Sequence, residues 1–520
     1  MDASLNMRQN SEASRRRDTT RSKIQYCSKC DNKAILQCFG KERRHRRVMN
    51  MRPKQGSATT MAVELRHSSS HRSLSSHNAT STLIISKDVK TIALRRAGGL
   101  VLGVSYGGGN LGRWPPSPFR GGKRTMVKAR ESVKMGRKRL KRVLILMSAT
   151  GGGHRASAQA IKQAFFERYG EEFKVDIVDP ITDHSRWPIS IMPPSYNFMV
   201  RHPWMWWLNY KLSQPRIIHR PALRFVAVYC SRAVAEMYDK YQPDLIVSVH
   251  PLLQHAPIRI LRQRIAKGLM KPTPFATVVT DFATCHTTWF HKHVQKVFVP
   301  TQGIANIAKR MGVKQHQIEM RGLPIRPDFS GRKLSKESMR RSLALKADVP
   351  TVLIVGGGEG MGPVEKTAIA IAKRLGSRGQ IIIICGRNEN LATRLKTLNY
   401  GDTQVKVCGF VNNMVDFMCA SDCIITKAGP GTIAEALICG LPMILNDYIP
   451  CQEADNVPYV LDNGVGIFMK EPEVVALTVA HWFSPEGSQE LRDMAKKAKD
   501  LGRPEATFRI VEDLASLIPA

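Results

Sequence analysis

Residues 143–158 read VLILMSATGGGHRASA. The apolar run VLILM predicts a strand buried on both faces, as parallel strands are. The glycines at 151–153 predict a turn. Ala156, Ala158, Ala160 and Ile161 predict a helix directly after it. A strand, a glycine turn and a helix N-terminus together gather backbone N–H groups and a favourable dipole, which attract anionic or polar ligands. His154 heads that helix, and an imidazole there can serve as a general base near neutral pH. Taken alone, the segment reads equally well as an ordinary βα turn with a surface histidine, so the rest of the chain has to decide.

Working outward, strands are expected at 142–148, 173–178, 244–249, 275–279 and 296–299, with helices between them, among them 155–168 and 221–240. A second series follows: strands at 351–355, 380–385, 404–408, 422–426 and 442–446, separated by helices at 364–376, 389–397, 413–420 and 431–439. Alternation of this kind predicts parallel, doubly wound sheets. The expected organisation is α/β, with one domain over 138–325 and another over 326–515. Two such domains in tandem leave a cleft between the C-terminal ends of their strands, where ligands bind.

The chain has 520 residues and a net charge of +37. Residues 1–140 hold 31 Lys and Arg against 8 Asp and Glu, and the remainder 48 against 34, so the first quarter is the main source. Residues 1–135 are rich in Arg, Ser, Thr and Gly and lack sustained periodicity. They are expected to be an organelle transit peptide followed by a disordered basic linker, or simply a disordered tail. Basic surfaces suit anionic lipid, anionic substrates or nucleic acid. No base-reading motif is present, so nucleic acid is not the expected partner. No apolar run is long enough to span a bilayer. Eleven cysteines without paired spacing, mostly in apolar context, fit a reducing compartment. Cys27 and Cys30 have the only metal-like spacing, which matches no strong zinc pattern.

One stretch breaks the α/β rhythm. Residues 180–220 carry four of the seven tryptophans and many prolines, and Trp204, Trp206 and Trp207 cluster beside Arg201, His202 and Lys211. Aromatic and basic groups together suit a membrane interface with anionic headgroups. A packed loop capping the domain is the plainer alternative.

The second domain carries two glycine motifs. GGGEGMG at 356–362 follows a strand and opens a helix. TKAGPGTIAEA at 426–436 does the same. Thr432 and the backbone amides at that helix N-terminus can hold a diphosphate. Glu435, one turn further, can accept two vicinal hydroxyls of a ribose. The polar loop 448–456, with Gln452, Glu453 and Asn456, can read sugar hydroxyls. The second domain therefore reads as a nucleotide-sugar site. No P-loop lysine, zinc motif or G-x-S-x-G elbow competes with it.

These motifs, taken in order, resemble the plant monogalactosyldiacylglycerol synthases, GT-B glycosyltransferases of family 28 related to the bacterial MurG enzymes. The segments that carry the likeness are VLILMSATGGGHRASA, SVHPLLQHAP, TDFATCHTTWFH, GLPIRPDF, GGGEGMGP, ICGRN, ITKAGPGTIAEA and QEADNVPYV, spread over roughly 138–515. The resemblance implies a GT-B fold of two Rossmann-like domains. It implies transfer of galactose from UDP-galactose to diacylglycerol with inversion, peripherally on the chloroplast envelope, with no metal and no cofactor. It implies His154 as the base on the diacylglycerol hydroxyl. His154, Pro188 and Trp289 would form the acceptor side and contact activating anionic lipids such as phosphatidylglycerol or phosphatidic acid. For the donor it implies Arg326 at the diphosphate and Phe410 at the uracil, with Gly358 and Glu359 in the glycine loop. Lys427, Ala428, Gly429, Pro430, Gly431 and Thr432 would cradle phosphates, Glu435 would hold ribose, and Gln452, Glu453 and Asn456 would face galactose. A homodimer is an assembly it allows.

The chain departs from the family at two positions. Ala149 stands where the family usually has Asp, which removes a carboxylate from the His154 turn. Asp455 stands where Gly is more frequent, beside the galactose loop. Two other readings stay open on the residues: the same scaffold with another UDP-sugar or lipid acceptor, and a non-catalytic homologue that binds anionic lipid or nucleic acid.

Overall fold

The computed structural model describes residues 139–519, apart from 149–151, 185–188, 201, 332–334, 359 and 361. In the N-terminal part it also describes three short antiparallel strands, β1 (Thr82–Ile84), β2 (Thr91–Arg96) and β3 (Gly99–Ser105). Those strands fall where a disordered linker was expected; the rest of 1–135, with the Cys27–Cys30 pair, lies outside the described residues, as do Ala149, Pro188 and Glu359.

Residues 131–520 form one compact unit with two sheets. The first holds β4 (Lys141–Leu146), β5 (Phe173–Val178), β6 (Leu245–Ser248), β7 (Phe275–Val278), β8 (Lys296–Val299) and β9 (Ile318–Met320). The second holds β10 (Thr351–Val355), β11 (Gln380–Ile384), β12 (Gln404–Cys408), β13 (Cys423–Lys427), β14 (Met443–Asp447) and β15 (Gly466–Phe468). Every pairing in both sheets is parallel. The strand orders are β5-β4-β6-β7-β8-β9 and β12-β11-β10-β13-β14-β15. The expected pair of Rossmann-like α/β layers is thus present. Central strands such as TVLIV of β10 and QIIII of β11 are buried along their whole length because helices cover both faces.

Each order reverses at one place: between β4 and β6 in the first lobe, and between β10 and β13 in the second. Connections there run to opposite faces of the sheet and leave a crevice at the strand C-termini. The loop that leads into His154 follows β4, and both glycine motifs of the second lobe follow β10 and β13. The topology therefore sets these motifs at the two crevices.

The strands read from the sequence are all present, with ends shifted slightly. Two edge strands, β9 and β15, were not expected, because each is only three residues long. The helix expected over 221–240 is two helices, Arg216–Tyr229 and Ser231–Tyr241, joined at Cys230. The insert is helical as well, in Met192–Val200 and Pro203–Ser213.

Helix Ala506–Ser516 follows the second sheet in the chain but packs in the first lobe. Its Ile510, Val511 and Leu514 are fully buried against Val143, Ile145, Ile161 and Phe165. Each such side chain contributes about 1.5–3 kcal/mol of hydrophobic stabilisation. An Arg321–Asp513 ion pair at 2.7 Å flanks the junction.

Candidate active site

His154 lies in the first turn of helix Gly152–Tyr169 and is buried. A Cβ placed on Gly152 or Gly153 would meet nothing within 4 Å. Open space therefore borders the helix N-terminus, and a ligand can approach its N–H groups closely. The His154 Nδ1 lies 2.8 Å from Thr280 Oγ1. Its ring meets His250 edge-on at 4.7 Å and faces Trp289 at 6.1 Å. Burial lowers its pKa to about 4, against the opposing effect of a hydrogen bond with the Val249 backbone. The imidazole is therefore neutral at physiological pH and free of the charge that would stop it accepting a proton.

Trp289 is fully buried behind the histidine, and its indole N–H donates to Asp281 Oδ2 at 2.6 Å. Burial raises the Asp281 carboxyl to about 7; the Trp289 hydrogen bond opposes this rise, and nearby Glu453 adds to it. Glu453 belongs to the second lobe, so this electrostatic link crosses the cleft. Thr280, Asp281 and His250 were not singled out as site residues from the sequence. Their signal was position: Thr280 and Asp281 follow β7, and His250 follows β6, on the strand ends that line the first crevice.

In the second lobe, Gly429 caps helix Pro430–Cys439 and Pro430 takes its first turn, where a missing N–H costs nothing. Gly357 has φ +71, a conformation glycine adopts freely, and a Cβ there would lie 3.4 Å from Lys427 Cε. The fold thus brings the glycine turns after β10 and β13 together. Gly358 accepts from Arg387 N at 2.8 Å. Arg326, in the segment between the lobes, donates to Asn412 O at 2.8 Å and pairs with Glu435 at 3.5 Å. Burial raises Glu435 to about 7, against the pull of Arg326. Phe410 stands exposed after the edge strand β12.

The loop after β14 supplies the remaining candidates. Lys427 Nζ donates to Glu453 Oε1 at 2.5 Å, and Ile449 N donates to Glu453 Oε2 at 2.9 Å. Asn456 is engaged at both ends: its Nδ2 donates to Ala428 O at 2.8 Å, and its Oδ1 accepts from Ala283 N at 3.0 Å. The second of these bonds joins the lobes. Tyr196 and Trp206, from the insert, also cross to this loop, donating to Gln452 Oε1 and Pro450 O, each at 3.0 Å. Sequence reading placed neither of them at the site. Among the described residues no group of three or more His, Cys, Asp or Glu side chains is arranged to hold a metal ion.

The first lobe thus holds a buried neutral histidine and the donor side holds paired cations, carboxylates and a helix N-terminus, with the Ala283–Asn456 hydrogen bond and the Asp281–Glu453 interaction joining the two lobes. Such an arrangement can take a proton from an acceptor on one side and hold an anionic leaving group on the other. Residues 154–325 match the family model for monogalactosyldiacylglycerol (MGDG) synthase, and residues 351–502 match the glycosyltransferase family 28 C-terminal domain. The chain is 50% identical over 73% of its length to a probable chloroplastic monogalactosyldiacylglycerol synthase of Glycine max, covering 72% of that protein. It is also 50% identical to the chloroplastic monogalactosyldiacylglycerol synthase 1 of Arabidopsis thaliana, over 73% of this chain and 72% of that one. Among solved structures, Acinetobacter baumannii MurG is similar at 16% identity and a TM-score of 0.48, over 72% of this chain and 99% of that chain. With half of the 384 aligned residues identical, the chain belongs to the monogalactosyldiacylglycerol synthase family.

Proposed function

We propose that this chain transfers galactose from UDP-galactose to the free hydroxyl of diacylglycerol, with inversion at the anomeric carbon. The observation that carries this reading is the combination of a buried, neutral His154 in the first lobe with the Arg326–Glu435 and Lys427–Glu453 pairs on the donor side. The diacylglycerol oxygen attacks the anomeric carbon while its proton passes to His154. The bond from that carbon to the β-phosphate oxygen breaks, and UDP leaves with the electron pair. Arg326, Lys427 and the N–H groups around Gly431 and Thr432 stabilise the charge that develops on the diphosphate. Glu435 takes the ribose hydroxyls and Gln452 the sugar. Contacts between the lobes exclude water, which would otherwise capture the galactosyl group. Incubation with labelled UDP-galactose and diacylglycerol should yield labelled monogalactosyldiacylglycerol, and UDP-glucose should give much less product. Equal transfer from the two donors would overturn the choice of sugar, and no transfer from either would overturn the reaction.

The acceptor is a membrane lipid, and the relatives' names place them in the chloroplast. No described helix is long and apolar enough to cross a membrane. We infer peripheral docking on the chloroplast envelope through the first lobe. Helix Arg216–Tyr229 exposes Ile217, Phe225 and Val228, with Arg220 and Arg224 exposed beside them. Trp204, Trp207, Leu208 and Leu212 add to the exposed apolar area. Apolar side chains flanked by arginines suit a surface of anionic lipid such as phosphatidylglycerol or phosphatidic acid. Replacing both Ile217 and Phe225 by Glu should weaken flotation with anionic vesicles by about a hundredfold. Undiminished flotation would count against this face.

A further inference from the structure

The loop between β14 and the helix Asn456–Asp462 is held from two sides. From its own lobe come Lys427 on Glu453 and Asn456 on Ala428 O. From the other lobe come Tyr196 on Gln452 and Trp206 on Pro450 O. The residue between those two anchor points, Cys451, has φ +64, a left-handed conformation that costs energy for a side chain other than glycine. Such a turn persists only where its surroundings fix it. The two anchoring rings also support each other, meeting edge-to-face at 5.1 Å and 89°. Trp206 continues the stack to Tyr210, and Tyr210 meets His286 of the segment before Trp289.

We propose that Tyr196 and Trp206 form a clasp from the Trp-rich insert that sets the donor-sugar loop, with Tyr196 deciding which end of the Gln452 amide faces the sugar. The phenol occupies Gln452 Oε1, so the amide is left to present its NH2 group, a donor, to a hydroxyl oxygen of the sugar. Burial, with Glu453 and Asp281 nearby, raises the Tyr196 phenol well above its ordinary value, so it keeps the proton it donates. Tyr196 and Trp206 are thus positioning residues that act through Gln452. The helix of Trp206 also carries Trp204 and Trp207, both exposed, so seating of the insert and order in the donor loop are linked. The inference rests on the reading of Gln452 as a sugar ligand.

The test is a double-mutant cycle on the full chain, assayed with UDP-galactose and diacylglycerol in phosphatidylglycerol vesicles. Tyr196→Phe should raise the KM for UDP-galactose about five- to tenfold, the effect of one lost orienting hydrogen bond. Trp206→Phe should add to it. UDP, which lacks the sugar, should bind both variants with affinity within about twofold of the parent. In a Gln452→Ala background Tyr196→Phe should have no further effect, because the group it orients is gone. A wild-type KM in Tyr196→Phe, or a full additive loss in the Gln452→Ala background, would overturn the clasp. An unchanged KM in Gln452→Ala alone would instead overturn the assignment of Gln452 to the sugar.

Discussion

Replacing His154 by Ala should lower kcat about 10²- to 10⁴-fold, the usual worth of a positioned base, while UDP-galactose affinity stays within about threefold. The imidazole meets Thr280, His250 and Trp289, all of the first lobe, so donor binding should be indifferent to it. The pH profile supplies a second check. With its pKa lowered to about 4, His154 is deprotonated at neutral pH and gains its proton only as pH falls through that value. The acidic limb of kcat/KM in the free enzyme should therefore lie well below the 6.5 of an ordinary histidine. A limb at 6.5, or a His154→Ala variant with near-parental kcat, would remove His154 from the role of base. The depressed pKa also bears on stability. The unfolded chain binds the proton more readily than the folded one, so the stability that His154 contributes is present above pH 6.5 and is lost as pH falls toward 4.

The second large effect is expected at Arg326. Removing one preorganised cation from a developing diphosphate charge costs about 10²- to 10³-fold in kcat, and Arg326→Ala should fall in that range. The substitution should also change how UDP binding responds to pH. Arg326 opposes the burial that raises Glu435 to about 7. Without the guanidinium the carboxyl rises further and is protonated at neutral pH, which weakens Glu435 as the proposed acceptor for the ribose hydroxyls. Calorimetric UDP affinity of Arg326→Ala should thus be weak at pH 7 and recover toward pH 9, while the parent changes little. Affinity that does not recover on the alkaline side would show that Glu435 is not the titrating link.

Much of this architecture was legible because parallel strands buried on both faces are written as unbroken apolar runs. VLILM, TVLIV and QIIII leave no alternative of comparable quality. The glycine turns of the second lobe were legible for the same local reason, since each follows such a run and opens a helix, whereas Gly152 and Gly153, expected in a turn, begin the helix Gly152–Tyr169 itself. What escaped reading depends on neighbours distant in sequence. The edge strands β9 and β15 carry three residues each and owe their conformation to pairing with β8 and β14. The break at Cys230 divides a pattern that reads as one amphipathic helix. Within the candidate site, residues that adjoin a motif along the chain, such as Lys427 and Glu435, could be named as candidates from the sequence. Those reached only by the closing of two lobes, Asp281 beside Glu453 and Tyr196 on Gln452, could not. The reading also could not anticipate that Lys427 and Glu453, assigned to phosphate and sugar, hold each other. Nor could it show that both ends of the Asn456 amide are engaged by backbone groups.

The placement of helix Ala506–Ser516 has a consequence for biogenesis. The first lobe emerges early from the ribosome, yet the face of its sheet that holds Val143 and Ile145 waits for Ile510, Val511 and Leu514. Chains grow at about 5–20 residues per second, so that face has helix Gly152–Tyr169 but not its second helix while the whole second lobe is translated. The nascent protein therefore carries a partly open apolar surface from about residue 320 until helix Ala506–Ser516 is made, a binding target for chaperones until the last turns of helix arrive to close it.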